Sequence, residues 1–216
     1  LRSRYQVNFA LQMNAKTCLD NYEYLDILDG AWREWSGPRP SGGLLCDIGC
    51  ASFWYAATLH AFFHPDRMLG IEIEGYRLFR DGRSRIDYAA GYVQNCPNTE
   101  FIVADYANFR QPADVITAWF PFLTPVPVLA WRLPLSLLAP DRMFASVKHN
   151  LNPDGWFVMV NHGLREAALA ESLCTAAGLS LTARWAEMGP LSAHRSHPPV
   201  ISAWRHAGAT HFFGVR

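Results

Sequence analysis

The stretch Leu44-Leu45-Cys46-Asp47-Ile48-Gly49-Cys50-Ala51-Ser52 constrains this chain most. An apolar run that ends in an acidic residue and breaks into small residues reads as a buried strand entering a tight turn. Residues 53–63 beyond it read as a helix. Strand, small-residue turn and helix together make a site suited to a nucleotide-type cofactor: small side chains let a ligand approach the backbone, and the helix N-terminus offers free N–H groups. A second strand, residues 68–71, runs into Glu72, twenty-three residues after Gly49. A carboxylate at that offset is placed to accept hydrogen bonds from a ribose diol. The alternative for Glu72 is a surface residue at a strand end.

The rest of the chain fits one α/β unit. Strands are expected at 44–48, 68–71, 100–104, 114–118 and 156–160, with helices at about 53–63, 76–95, 136–149 and 164–177 between and after them. Two last strands, 179–185 and 200–204, are joined by a loop, so one of them is expected to be antiparallel. Apolar strands alternating with helices imply a mostly parallel sheet covered on both faces. The first 36 residues look helical and amphipathic, and residues 36–43, rich in Gly, Pro and Ser, separate them from the first strand. The expected division is a helical extension over 1–40, acting as a lid or acceptor cover, and a cofactor-binding domain over 41–216.

Composition removes several classes. Half of the 216 residues are hydrophobic and 18% are charged, which excludes a disordered chain. Nineteen basic and nineteen acidic side chains cancel, which argues against a broad phosphate-binding surface. Five cysteines match no zinc spacing and read as reduced core thiols, so no metal is expected and a cytoplasmic location fits best. No apolar run has spanning length, and no membrane partner is expected.

In order and spacing these motifs resemble those of the class I S-adenosylmethionine (SAM)-dependent methyltransferases, from about residue 44 to residue 204. Asp47-Ile48-Gly49-Cys50-Ala51 is similar to the family's Asp-x-Gly-x-Gly. Gly70-Ile71-Glu72 resembles its ribose-binding strand end, and Ala104-Asp105-Tyr106 its adenine corner. Leu151-Asn152-Pro153-Asp154-Gly155 resembles its turn into strand five. The resemblance implies a Rossmann-like, doubly wound, seven-stranded, mostly parallel sheet with the last strand antiparallel and helices on both faces. It also implies a methyltransferase that uses SAM and releases S-adenosylhomocysteine. Two positions depart from the pattern: Ala51 stands for the second glycine and Phe53 for the third. Either the loop takes a different path or the pocket is altered.

By the same resemblance, Asp47 and Gly49, with Cys50 and Ala51, would hold the methionine portion of the cofactor. Glu72 would hold the ribose, Ile73 and Tyr106 would lie beside the adenine, and Asp105 would accept from its amine. Asp105 could instead cap the turn that follows it. Trp119, Phe120 and Phe122 fall at the end of strand four, the edge where open α/β sheets bind ligands. Aromatic faces there suit a sulfonium, although the same rings could be core. Trp119 is expected on the cofactor, and Phe120 and Phe122 on the acceptor together with Asn161. His162 is the candidate base, against a purely structural histidine. His194 and His197 read as exposed loop residues. Arg77, Arg80, Arg83 and Arg85 read as a solvated helix face or as contacts to an anionic acceptor. The expected partner is a small or medium-sized acceptor. The alternatives are an RNA (tRNA-type) methyltransferase and a non-catalytic SAM-binding scaffold. An NAD-dependent oxidoreductase would require a Gly-x-Gly-x-x-Gly turn that this chain lacks.

Overall fold

The computed structural model describes residues 1–11, 13–187 and 189–208. Two short segments, α1 (Arg2–Tyr5) and a 3-10 turn, lead into the long helix α2 (Ala15–Trp35), whose N-terminus is capped by the Asn14 side chain accepting from Thr17 N–H. The order that follows is β1 (Leu44–Ile48), α3 (Ala56–Phe63), β2 (Arg67–Glu72), α4 (Arg85–Val93), β3 (Thr99–Val103), β4 (Ala113–Trp119), α5 (Pro125–Ala130), α6 (Pro140–Asn150), β5 (Leu151–His162), α7 (Gly163–Ala176), β6 (Leu179–Trp185) and β7 (Pro199–His206).

The seven strands form one sheet in the order β3-β2-β1-β4-β5-β7-β6. The first five are parallel, and β7 is antiparallel to both β5 and β6. The order reverses between β1 and β4, so the crevice of this sheet lies past Ile48, Glu72, Trp119 and His162 at the carboxyl ends. Two cores flank the sheet. On one face Leu45, Met68, Val115, Val158 and Val160 pack against Leu25 and Leu28 of α2 and Leu59 and Phe62 of α3. On the other, Ile116, Phe157, Met159 and Trp204 pack against Phe144 and Val147 of α6 and Ala170 and Cys174 of α7. Helix α2 is part of the first core, and Thr58 Oγ1 bonds both the carbonyl and the side-chain oxygen of Asn21 within it.

Three local expectations need correction. The helix expected from residue 76 begins only at Arg85. Ser84 and Asp87 form a capping box there, and Leu78 bridges back to Ser84, so residues 76–84 are a compact loop. The helix expected from residue 53 begins at Ala56, because Phe53 sits at φ 54°. The turn expected at 151–155 is already paired: Leu151 lies beside Ala113, and the register then shifts before Trp156 meets Val115. Helix α5 escaped the pattern because Pro125-Val126-Pro127-Val128 carries no helical signature beyond its N-terminal prolines.

Candidate functional site

The loop after β1 is fastened to the end of β2. Gly49 and Cys50 N–H both donate to the Ile71 carbonyl, at 2.8 and 3.3 Å, and Ala51 N–H donates to Glu72 Oε2 at 2.8 Å. Gly49, Ala51 and Phe53 all have φ between 52° and 67°. For the latter two this left-handed conformation costs about 1 kcal/mol or more each. It also decides where Phe53 goes. The ring turns away from the crevice into the core and lies over Gly70, where an added Cβ would come within 2.5 Å of it. The departure at residue 53 is thus accommodated by a glycine on the neighbouring strand. At Gly49 an added Cβ would meet nothing within 4 Å, so the loop leaves open space beside the carboxyl end of β1.

Asp47 sits one turn of chain earlier and points to the α2–α3 side. It is fully buried. Tyr55 Oη donates to one of its oxygens at 2.6 Å and Thr117 Oγ1 to the other at 2.5 Å. Burial pushes its carboxyl up to about 7; the two hydrogen bonds oppose the rise and the charge of Glu72 adds to it. Glu72 is also buried. Its Oε1 accepts from Glu74 N–H at 2.8 Å and forms an ion pair with Arg85 Nη1 at the same distance, and Oε2 accepts from Ala51 N–H. The Arg85 guanidinium lies 5.3 Å from the centre of the Trp131 ring, and Arg77 Nη2 donates to the Trp131 carbonyl at 2.7 Å. Ile73, half exposed, rims the same end of the sheet.

Asp105 takes the capping role: it accepts from Ala107 N–H at 2.9 Å and from Asn108 Nδ2 at 2.8 Å. Tyr106 is buried in the core of the α6 face, where its ring stacks on Phe109 and burial raises its hydroxyl.

Past β4 the aromatics divide. Trp119 is buried and stacks on Tyr24 of α2, 4.0 Å between centroids and 12° between planes. Tyr55 and Trp54 complete the cluster. Phe120 stacks on the His162 ring at 4.1 Å, and the Arg195 guanidinium lies 4.9 Å from its centroid, paired through Nε with the buried Glu23. Phe122 leans on Trp131 instead. Asn161 is fully buried, and neither polar atom of its amide has a partner among the described residues. A buried amide left unpaired costs about 1–3 kcal/mol, so Asn161 is poised for a ligand or ordered water. His162, exposed at the end of β5, has its pKa lowered by partial burial and by Arg195, with Glu166 opposing. The net effect favours the neutral imidazole.

The carboxyl ends of β1, β2, β4 and β5 thus bring together Gly49, Glu72, Ile73, Phe120, Asn161 and His162 at one edge. Asp47, Tyr106 and Trp119 face cores instead. No family model matches the sequence, and no curated protein matches it. Solved structures do. A SAM-dependent methyltransferase from Aquifex aeolicus aligns over 94% of this chain and 97% of its own, at 13% identity and a TM-score of 0.59. A TehB-like SAM-dependent methyltransferase from Corynebacterium glutamicum aligns over 84% and 86%, at 16% identity and 0.52. A ribosomal protein L11 methylase from Lactobacillus delbrueckii subsp. bulgaricus aligns over 84% and 77%, at 14% identity and 0.54.

The fold is that of the Rossmann-like SAM-dependent methyltransferases. Against it, the residues that sequence reasoning missed stand out: Tyr55 and Thr117 on Asp47, Arg85 on Glu72, and the Glu23–Arg195 pair beside Phe120. Only the Arg85 pair has a signal in the sequence, a basic run thirteen residues or fewer after the acid, which reads as a solvated helix face or as contacts to an anionic acceptor and not as a partner of Glu72.

Proposed function

We infer that this chain is a SAM-dependent methyltransferase acting on a small or medium-sized acceptor. The observation that carries the reading is the edge of the sheet at β1 and β2, where open space at Gly49 adjoins the Glu72 carboxylate in a methyltransferase fold. The residues there fit an adenosyl cofactor. Glu72 already accepts two hydrogen bonds and pairs with the Arg85 guanidinium. A carboxylate has about four acceptor positions, so Glu72 can take one ribose hydroxyl as it stands and a second on release of Arg85. Ile73 offers an apolar surface to the adenine, while Asp105 would accept from its amine only by sharing oxygens that now cap the 3-10 turn.

The bound cofactor would supply an electrophilic methyl group on sulfur. What this chain supplies is placement, exclusion of water and a proton acceptor. Phe120 and Phe122 give the acceptor side an apolar wall, and the unpaired Asn161 amide would orient a polar group. His162, whose pKa is held down by partial burial and whose ring stacks on Phe120, would take a proton from an acceptor hydroxyl or amine. Residues 1–40 would border the acceptor side through Glu23 of α2, whose partner Arg195 lies over Phe120. An RNA acceptor gains little support, because Arg85 is spent on Glu72 and Arg77 on Trp131.

The test is calorimetric titration with SAM and S-adenosylhomocysteine. Micromolar binding that Glu72→Gln weakens at least about tenfold, or ~1.4 kcal/mol, is expected. Failure of the folded wild-type chain to bind either compound would overturn the reading and favour a scaffold.

A further inference from the structure

Residues 119–140 include a single charged side chain, Arg132. A stretch so apolar belongs in a core, yet much of this one is on the surface. Val126 is 74% exposed, Leu129 56% and Trp131 46%. The loop after β2, which touches it through the Arg77–Trp131 hydrogen bond and the Arg85–Trp131 contact, is similar: Tyr76 is 73% exposed and Leu78 66%. Seven of the thirteen large hydrophobic side chains exposed among the described residues fall within 76–79 and 126–135. Apolar side chains gathered this way mark an interaction surface, whereas scattered ones need no account.

The charges in the same two segments select the occupant. With the rest of the loop to residue 84 included, Arg80, Arg83 and Arg132 are exposed against Glu74 and Asp81, a small excess of positive charge in a chain that is neutral overall, while Arg77 is held by the Trp131 carbonyl. Amphipathic aromatics, exposed aliphatics and an arginine collar are the combination that sits in the headgroup layer of an anionic bilayer. A second copy of this chain would set the arginine collars near each other across a two-fold contact. A single-stranded nucleic acid would use the arginines and rings but leave Val126 and Leu129 without a role. We propose that the β2–α4 loop and the α5 segment form a docking surface for an anionic lipid bilayer. No described helix is long and apolar enough to cross a membrane, and this contact requires none. The docking is independent of the methyltransferase reading.

The experiment is co-sedimentation of the full chain with vesicles of phosphatidylcholine, alone and mixed with phosphatidylglycerol. The chain should sediment with the anionic vesicles. Arg80→Ala and Arg132→Ala should each lower partitioning roughly fivefold. The double variant Val126→Asp, Leu129→Asp should abolish it, with circular dichroism and Tm unchanged because both side chains are exposed. No sedimentation by the wild-type chain, or equal sedimentation with both lipids, overturns the proposal. So does a shift of a single-stranded oligoribonucleotide without vesicle binding, or a dimer mass that the double variant returns to monomer.

Discussion

Replacing Asp47 by Asn should make the chain less stable in mild acid and more stable in mild alkali. The unfolded carboxyl titrates near 3.8 and the folded one at about 7, because the group is buried. A raised folded pKa means that the native state holds the proton more tightly. The resulting stabilisation is fully present below about pH 4 and is lost as pH rises to about 7 and beyond. A rise from 3.8 to about 7, at roughly 1.4 kcal/mol for each tenfold change in proton affinity, is on the order of 4 kcal/mol. Asn keeps the shape but turns one acceptor into a donor against Tyr55 Oη or Thr117 Oγ1, which costs about 1–2 kcal/mol at every pH. The variant should therefore be less stable by about 1–2 kcal/mol near pH 4 and more stable by about 2–3 kcal/mol near pH 8, with a crossover between. Urea unfolding of both proteins across that range measures the difference directly, and carboxyls common to both cancel. A difference that stays constant with pH would refute the account of Asp47 as a carboxyl held protonated by burial.

The remaining predictions concern neighbouring contacts. Gly70→Ala should destabilise the chain by about 1–3 kcal/mol through the clash with Phe53, and Phe53→Leu should restore part of that loss in a double-mutant cycle; additive effects would show that the ring does not occupy this space. Arg85→Met should cost about 3–5 kcal/mol in urea unfolding by leaving Glu72 buried and unpaired, and adding Glu72→Gln should recover most of it; a loss below ~1 kcal/mol would mean that the carboxylate is solvated. By NMR titration His162 should titrate below 6.5, lower still in Glu166→Gln and higher in Arg195→Met; a wild-type midpoint at or above 6.5 would remove the neutral-base argument.

Much of the architecture was legible because it is written locally. A strand such as Leu44–Ile48, apolar except for Asp47, reports burial on both faces, and burial on both faces implies helices on either side of a parallel strand. The alternation of such runs with helices, and the loop in place of a helix between the last two strands, implied a sheet with an antiparallel end. The Gly178 stop was equally local: at φ 85° it lies just past α7, as a glycine after a helix should.

What the tertiary structure decided is how each candidate side chain is used. Asp47, Glu72 and Asp105 look alike in sequence, each an acid at or near a strand end. One is sealed by a tyrosine eight residues away and a threonine seventy away, one is paired with a buried arginine, and one caps its own turn. Arg85 reads like Arg80 or Arg83 until the capped turn at Ser84 folds the loop back onto the end of β2. Phe53 reads as an obstruction until the positive φ and the missing Cβ of Gly70 turn its ring into the core. Periodicity and spacing report the backbone, which local residues control. The direction and ionisation of a side chain depend on neighbours that only chain crossing brings within hydrogen-bond or van der Waals distance.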